Sequence, residues 1–226
     1  MTQEVKTLLI IGVVTLVLVV GGIFLLGRGG SSSSGNNTPI DTKLLVRADS
    51  DKIATDSAKV TVVEFGDFEC PACGAAQPVT KQVIDDYKGK IDYVFRNFPL
   101  PQHDKALIAA EAAEAAGAQG KYWEMHDKLY ETQDTWSVAD KPLDLFVQYA
   151  QSFGLDVNKF RDDVTNNKYQ AKITQDFQDG TAVGIRATPT FFIAKNVNGG
   201  LSNPQKLEGV PTYEQIKALI DSKLTN

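Results

Sequence analysis

The sequence contains two cysteines, Cys70 and Cys73, and their spacing is the feature with the clearest chemistry. They are separated only by Pro71 and Ala72, so that in a helix the two side chains would lie about one turn apart. That separation lets the two sulfur atoms come close enough to form a disulfide. A dithiol that can close and reopen is suited to thiol–disulfide exchange with other proteins.

The cysteines lie between a predicted strand and a predicted helix. The strand is the β-branched and aromatic run 60–65, and the helix is indicated by apolar residues that recur at helical spacing over 75–87. Cys70 is therefore expected at the helix N-terminus, where unpaired N–H groups and the helix dipole stabilise a thiolate. We expect its pKa to fall below about 8.5, which makes Cys70 the reactive thiol and Cys73 the more buried resolving thiol.

Two simpler interpretations of the cysteine pair are a structural disulfide and half of a zinc site. A disulfide that closes so small a loop removes little chain entropy and stabilises weakly. A zinc site needs about four ligands, but the chain has no further cysteine, and His103 and His126 do not have a zinc-finger spacing. The residues therefore favour a redox pair, and we expect neither a metal nor a cofactor.

Two motifs resemble those of DsbA-like thiol-disulfide oxidoreductases of the thioredoxin superfamily. In the first, Glu64 lies six positions before Cys70 on the predicted strand, and Cys-Pro-Ala-Cys follows. The second is Arg-Ala-Thr-Pro-Thr-Phe-Phe-Ile at 186–193, which is similar to the loop in which a cis-proline faces the disulfide. The resemblance covers about residues 60–224.

The resemblance implies a substrate-binding surface beside the disulfide. It places Pro189 in a cis peptide bond that faces Cys70, and it gives Thr188 backbone groups that pair with an extended substrate. Pro71 and Ala72, which lie between the cysteines, are expected to contact the substrate too.

Three acidic residues lie close to the cysteines in sequence. Glu64 is either buried beneath the disulfide, which would raise its pKa, or solvated at a sheet edge; the resemblance assigns it to relaying the proton of Cys73. Asp67 and Glu69 either oppose thiolate formation at Cys70 or are solvated. No histidine lies between the cysteines, in contrast to many strongly oxidising members of the family.

The N-terminus carries an apolar stretch, residues 8–26, without a charged residue. Its 19 residues can span a bilayer of roughly 30 Å at about 1.5 Å per residue. We expect a transmembrane signal anchor after a short tail, 1–7, and before a flexible Gly/Ser-rich linker, 27–43. A cleaved signal peptide is the alternative, but the residues after the stretch contain no Ala-x-Ala site.

Residues 44–226 are expected to form one thioredoxin-like α/β domain with a helical insertion at about 103–183. Besides the catalytic strand, strands are predicted at 44–46, 91–98, 190–194 and 206–210. The Asn-Gly-Gly sequence at 198–200 predicts a hairpin, with a long loop over 196–205. The predicted fold class is therefore α/β, preceded by one N-terminal transmembrane helix.

The sequence and the resemblance together predict a membrane-anchored enzyme that introduces disulfides into exported proteins. The expected substrates are reduced exported proteins. The resemblance, and no residue of the chain, implies a membrane-embedded, quinone-linked thiol oxidase that restores the disulfide. The catalytic domain would lie on the extracytoplasmic side as a monomer. The net charge of −5, without a basic stripe, argues against nucleic acid. A reductase or isomerase, and a non-enzymatic membrane-tethered binding or chaperone module, are the alternatives.

Overall fold

The computed structural model describes residues 40–225, which form a five-stranded sheet with helices packed around it. The strands are β1 (Asp51–Ile53), β2 (Val60–Gly66), β3 (Ile91–Asn97), β4 (Thr190–Val197) and β5 (Gly200–Glu208). The helices are α1 (Pro71–Asp86), α2 (Ala106–Gly117), α3 (Tyr122–Glu131), α4 (Gln133–Trp136), α5 (Pro142–Ser152), α6 (Val157–Thr165), α7 (Gln170–Ala182) and α8 (Tyr213–Leu224).

The expected membrane anchor, residues 8–26, lies outside the described residues. Within residues 40–225, no helix is both long and apolar enough to cross a bilayer.

The sheet has the strand order β1-β3-β2-β4-β5, so the strand before the cysteines is central. β2 runs parallel to β3 and antiparallel to β4. All seven residues of β2 are buried, as expected for a strand that is covered on both faces. A central, buried strand holds the start of α1 in a fixed place, and this is where the cysteines lie.

Alternate residues of β2 supply two apolar clusters. Val60 and Val62 belong to the larger cluster with residues of α1, α8 and the insertion, whereas Val63 and Phe65 belong to the smaller one. The chain is helical from α2 to α7, between β3 and β4, which confirms that the fold carries a helical insertion. Alanines on α2 are fully buried, so neighbouring helices pack closely against it.

A buried ion network ties the insertion to the sheet. The guanidinium of Arg96 on β3 is fully buried and donates to Asp176 and Asp179 of α7, both at 2.7 Å. It also donates to the carbonyl oxygens of Leu44 and Leu45. One side chain therefore joins β3, the last helix of the insertion and the segment that precedes β1.

The prediction of a strand at 44–46 is wrong. Thr42–Leu44 is a 3-10 helix whose N-terminal Asp41 accepts a hydrogen bond from Lys43 N at 3.0 Å. Leu45 is fully buried in the smaller cluster, and the edge strand is β1 instead. The apolar run therefore packs into the core and does not pair as a strand. Residues 40–43, which the sequence assigns to the linker, are part of the described structure.

The long hairpin loop predicted at 196–205 is also wrong. β4 and β5 are joined by the two residues Asn198 and Gly199, whose φ angles are 50° and 79°. Asn-Gly favours this tight turn because both residues accept positive φ. β5 consequently begins at Gly200 rather than at Lys206.

Candidate active site

Cys70 lies at the start of α1, as the sequence predicted. It is the N-cap residue, with Pro71 in the first turn, and its carbonyl oxygen accepts hydrogen bonds from Cys73 N and Gly74 N. Both cysteines are buried, with 6% of Cys70 and 1% of Cys73 exposed. Cys70 is therefore the more accessible of the two thiols.

The two thiols have opposite pKa shifts. The pKa of Cys70 is lowered to about 5, first because the Cys73 thiol donates a hydrogen bond to it, with help from Thr188 and the backbone N–H groups of Cys73 and Ala72. Burial raises the pKa of Cys73 well above its usual value, and Cys70 and Glu64 raise it further. At neutral pH Cys70 is therefore a thiolate, whereas Cys73 holds its proton.

The loop before β4 lies against Cys70, although about 118 residues separate the two in sequence. The Cys70 Sγ atom is 3.4 Å from the carbonyl oxygen of Thr188, and the Thr188–Pro189 peptide bond is cis. The Thr188 hydroxyl is buried and has no hydrogen-bond partner among the described residues. It is free to donate to the sulfur when Cys70 ionises, which agrees with its part in lowering the pKa of that thiol.

Glu64 is buried beneath the cysteines, with only 2% of the residue exposed. The alternative of a solvated acid is therefore wrong. Its Oε2 atom accepts hydrogen bonds from the Tyr93 hydroxyl at 2.7 Å and the Thr80 hydroxyl at 3.4 Å. Burial raises the pKa of Glu64 to about 7, and the two hydroxyls limit the rise. A group with that pKa can take up or release a proton near neutral pH.

Asp67 and Glu69 bind neighbouring backbone and are not free in solvent. Asp67 is buried and accepts hydrogen bonds from Leu100 N at 2.8 Å and from His103 Nδ1 at 2.7 Å. Glu69 Oε2 accepts from Lys105 N at 2.6 Å. Although burial lowers the pKa of His103, the hydrogen bond that its ring donates to Asp67 outweighs this effect, and the pKa of His103 is raised. These carboxylates fasten the loop before Cys70 to the β3–α2 loop.

Gln133 on α4 contacts the active-site backbone, and sequence reasoning missed it. Its Nε2 atom donates to the carbonyl oxygens of Phe68, at 2.6 Å, and Cys70, at 3.0 Å. A Cβ atom at Gly74 would lie 2.6 Å from Gln133 Oε1, so this close approach requires glycine. Tyr93 was missed as well. Neither residue has a local sequence signal, because its partner is distant along the chain.

The cysteine pair at a helix start, opposite the loop of Thr188, defines a thioredoxin-like protein with a DsbA-type helical insertion. The thioredoxin family model matches residues 53–222 of the chain. The chain therefore belongs to the thioredoxin family.

Two relatives illustrate this membership. The probable disulfide bond formation protein D of Bacillus cereus is 31% identical over 181 residues, which cover 76% of this chain and 77% of that protein. The Na(+)/H(+) antiporter NhaA 1 of Salinispora arenicola is 39% identical over 175 residues, or 76% of this chain. The match covers only 26% of that antiporter, so the chain spans about a quarter of its length.

Solved structures share the fold. BdbD from Bacillus subtilis is 25% identical, with a TM-score of 0.66 over 77% of this chain and 92% of that one. Alpha-DsbA1 from Wolbachia pipientis is 24% identical, with a TM-score of 0.71 over 80% of this chain and 94% of that one. These likenesses concern the fold, a thioredoxin-like domain with a DsbA-type helical insertion. The roles of individual site residues stay predictions.

Proposed function

We propose that the chain introduces disulfides into exported proteins by dithiol–disulfide exchange through Cys70 and Cys73. The observation that carries this proposal is the asymmetry of the pair. Cys70 begins a helix with a pKa of about 5, whereas Cys73 is covered and has a raised pKa. The Cys70 sulfur is thus a stable thiolate and a good leaving group, and the Cys73 sulfur can re-form the disulfide with it.

In the proposed reaction a substrate thiolate attacks Cys70 Sγ of the oxidised pair. The Cys70–Cys73 bond breaks, Cys73 leaves with the electron pair and takes up a proton, and a mixed disulfide forms. A second substrate thiolate then attacks the substrate sulfur, and Cys70 leaves as a thiolate. Two electrons move from the substrate to the cysteine pair, and the substrate keeps the disulfide.

The low pKa of Cys70 favours an oxidase over a reductase. A thiol of low pKa leaves readily, and its stable thiolate favours the reduced form of the pair. A pair that prefers to be reduced accepts electrons from its substrates. The low pKa of Cys70 does not require a histidine between the cysteines, because the Cys73 thiol and the backbone N–H groups lower it instead.

The substrate is proposed to lie across Thr188 and the residues between the cysteines. The carbonyl oxygen of Pro189 is already used by Gly209 N at 2.9 Å, whereas that of Thr188 faces Cys70. An extended peptide can pair with Thr188 as an added strand. Pro71 is exposed and Ala72 is partly exposed, so both can touch the same peptide.

The enzyme is proposed to act as a monomer outside the cell membrane, anchored by residues 8–26. The length and lack of charge of that stretch support the anchor. The anchor is also supported by the antiporter relative, in which the matched region makes up 26% of the length. A membrane-embedded, quinone-linked thiol oxidase is the proposed reoxidant, and reduced exported proteins are the proposed substrates.

The proposal is tested by mixing the oxidised protein with a reduced peptide that contains two cysteines. We expect one peptide disulfide per enzyme disulfide lost, measured by mass spectrometry after alkylation. Cys70→Ser should form no peptide disulfide, and it serves as the control for background oxidation. If the wild-type protein leaves the peptide reduced while its own disulfide persists, the proposed activity is wrong.

A further inference from the structure

A buried hydrogen bond links Tyr93 to the acid beneath the cysteines. The Tyr93 hydroxyl donates to Glu64 Oε2 at 2.7 Å, and only 1% of Tyr93 is exposed. We infer that Tyr93 is a positioning residue that holds Glu64 and sets the pH at which Glu64 takes the proton of Cys73. This inference rests on the proposed function, because it assigns a partner to the proposed proton relay.

The fold fixes this contact rigidly. β2 and β3 are parallel neighbours in which Val62 lies opposite Tyr93, so Glu64 is two residues farther along the same face. The Tyr93 ring also packs against Trp123, with 5.6 Å between the ring centroids. The Thr80 hydroxyl is a second donor, but its distance to Oε2 is 3.4 Å, so it is the weaker one.

A phenol differs from a cation as a partner for a buried acid. It stabilises the carboxylate by a hydrogen bond without neutralising its charge, so the acid can still be protonated near neutral pH. The charge of Glu64 raises the pKa of Cys73 of α1 and of Tyr130 of α3, so both groups stay protonated beside it. Of the two hydroxyls that lower the pKa of Glu64, Tyr93 has the larger effect and Thr80 the smaller.

The step in which this matters is closure of the disulfide during reoxidation. A disulfide oxidant first forms a mixed disulfide with Cys70. The Cys73 thiol then gives its proton to the Glu64 carboxylate, and its sulfur attacks Cys70 Sγ. The Cys70–oxidant bond breaks, and the oxidant sulfur leaves as a thiolate. Glu64 performs this task only above its own pKa.

The experiment measures the rate of reoxidation by oxidised glutathione between about pH 5 and pH 9. Tyr93→Phe removes the stronger donor to Glu64. The pH at which the rate rises should therefore increase by about one unit, and at pH values below this rise the variant should react about tenfold more slowly than wild type. Thr80→Val should shift this pH in the same direction by a smaller amount. Both substitutions keep the shape of the side chain. A larger shift for Tyr93→Phe than for Thr80→Val is therefore a second expected result.

The matched control is Tyr122→Phe, which removes a buried hydroxyl that has no hydrogen-bond partner among residues 40–225. It should leave the profile unchanged, and alkylation of Cys70 should keep its pH dependence in every variant. A Tyr93→Phe profile that matches wild type would overturn the inference while Glu64→Gln still slows closure. If Glu64→Gln also matches wild type, the relay itself is overturned, whereas peptide oxidation tests the oxidase function separately.

Discussion

Replacement of Cys73 by alanine should raise the pKa of Cys70, and replacement by serine should raise it far less. The hydrogen bond from the Cys73 thiol is the largest cause of the low pKa of Cys70, which is about 5. Alanine removes this donor, whereas serine keeps a hydroxyl at the same position. A comparison of the two variants therefore separates the effect of the Cys73 donor on the pKa of Cys70 from the effect of the helix N-terminus.

The magnitude follows from the strength of a hydrogen bond to a charged group. Such a bond contributes about 1.5–3 kcal/mol, and one pKa unit corresponds to about 1.4 kcal/mol. Cys73→Ala should thus raise the pKa of Cys70 by about one to two units, to between about 6 and 7. The remaining backbone N–H groups and the helix dipole should keep it below about 8.5.

The assay is the rate of alkylation by iodoacetamide as a function of pH, which reports the thiolate fraction of the single remaining cysteine. The midpoint pH of alkylation should be lowest in wild type and in Cys73→Ser, and higher in Cys73→Ala. If the alanine and serine variants both titrate near pH 5, the thiol of Cys73 is not the main donor. The helix start alone would then explain the low pKa.

Two further predictions concern the frame of the site. Arg96→Met should leave Asp176 buried without its main cation and Asp179 with only Arg47 as an arginine partner. We expect a cost of about 3–5 kcal/mol, or roughly 6–20 °C in Tm by calorimetry; a Tm within 2 °C of wild type would refute this. Gly180→Ala would place a Cβ atom 2.7 Å from the buried Phe98 ring. The resulting overpacking should lower the free energy of unfolding by about 1–3 kcal/mol. A Tm equal to that of wild type would contradict this prediction.

Local patterns predicted the strand–cysteine–helix unit because each part has its own signal. β-branched residues mark β2, helical spacing marks α1, and Cys70 falls at their junction. The burial of Glu64 was one of two interpretations, since alternation along a strand cannot tell a covered face from an open one. The packing of helices against that face decides it.

The features that were missed depend on contacts between distant residues. Tyr93 and Gln133 reach the site only after the sheet and the insertion assemble, so no local pattern marks them. Leu45 was assigned to a strand because an apolar run fits either a strand or a core anchor. The turn at Asn198 is the reverse case, because the local Asn-Gly sequence alone favours the two-residue turn that the structure has.

The central claim is that Cys70 is a thiolate in the reduced pair while Cys73 keeps its proton. The equilibrium potential against glutathione, measured between about pH 4 and pH 9 and corrected for the protons of glutathione, tests it most directly. With one proton taken up for two electrons, the potential should fall by about 30 mV per pH unit above pH 5. At pH 7 it should be closer to about −120 mV than to about −270 mV. A fall of about 59 mV per pH unit up to pH 8, with a potential near −270 mV, would contradict the account.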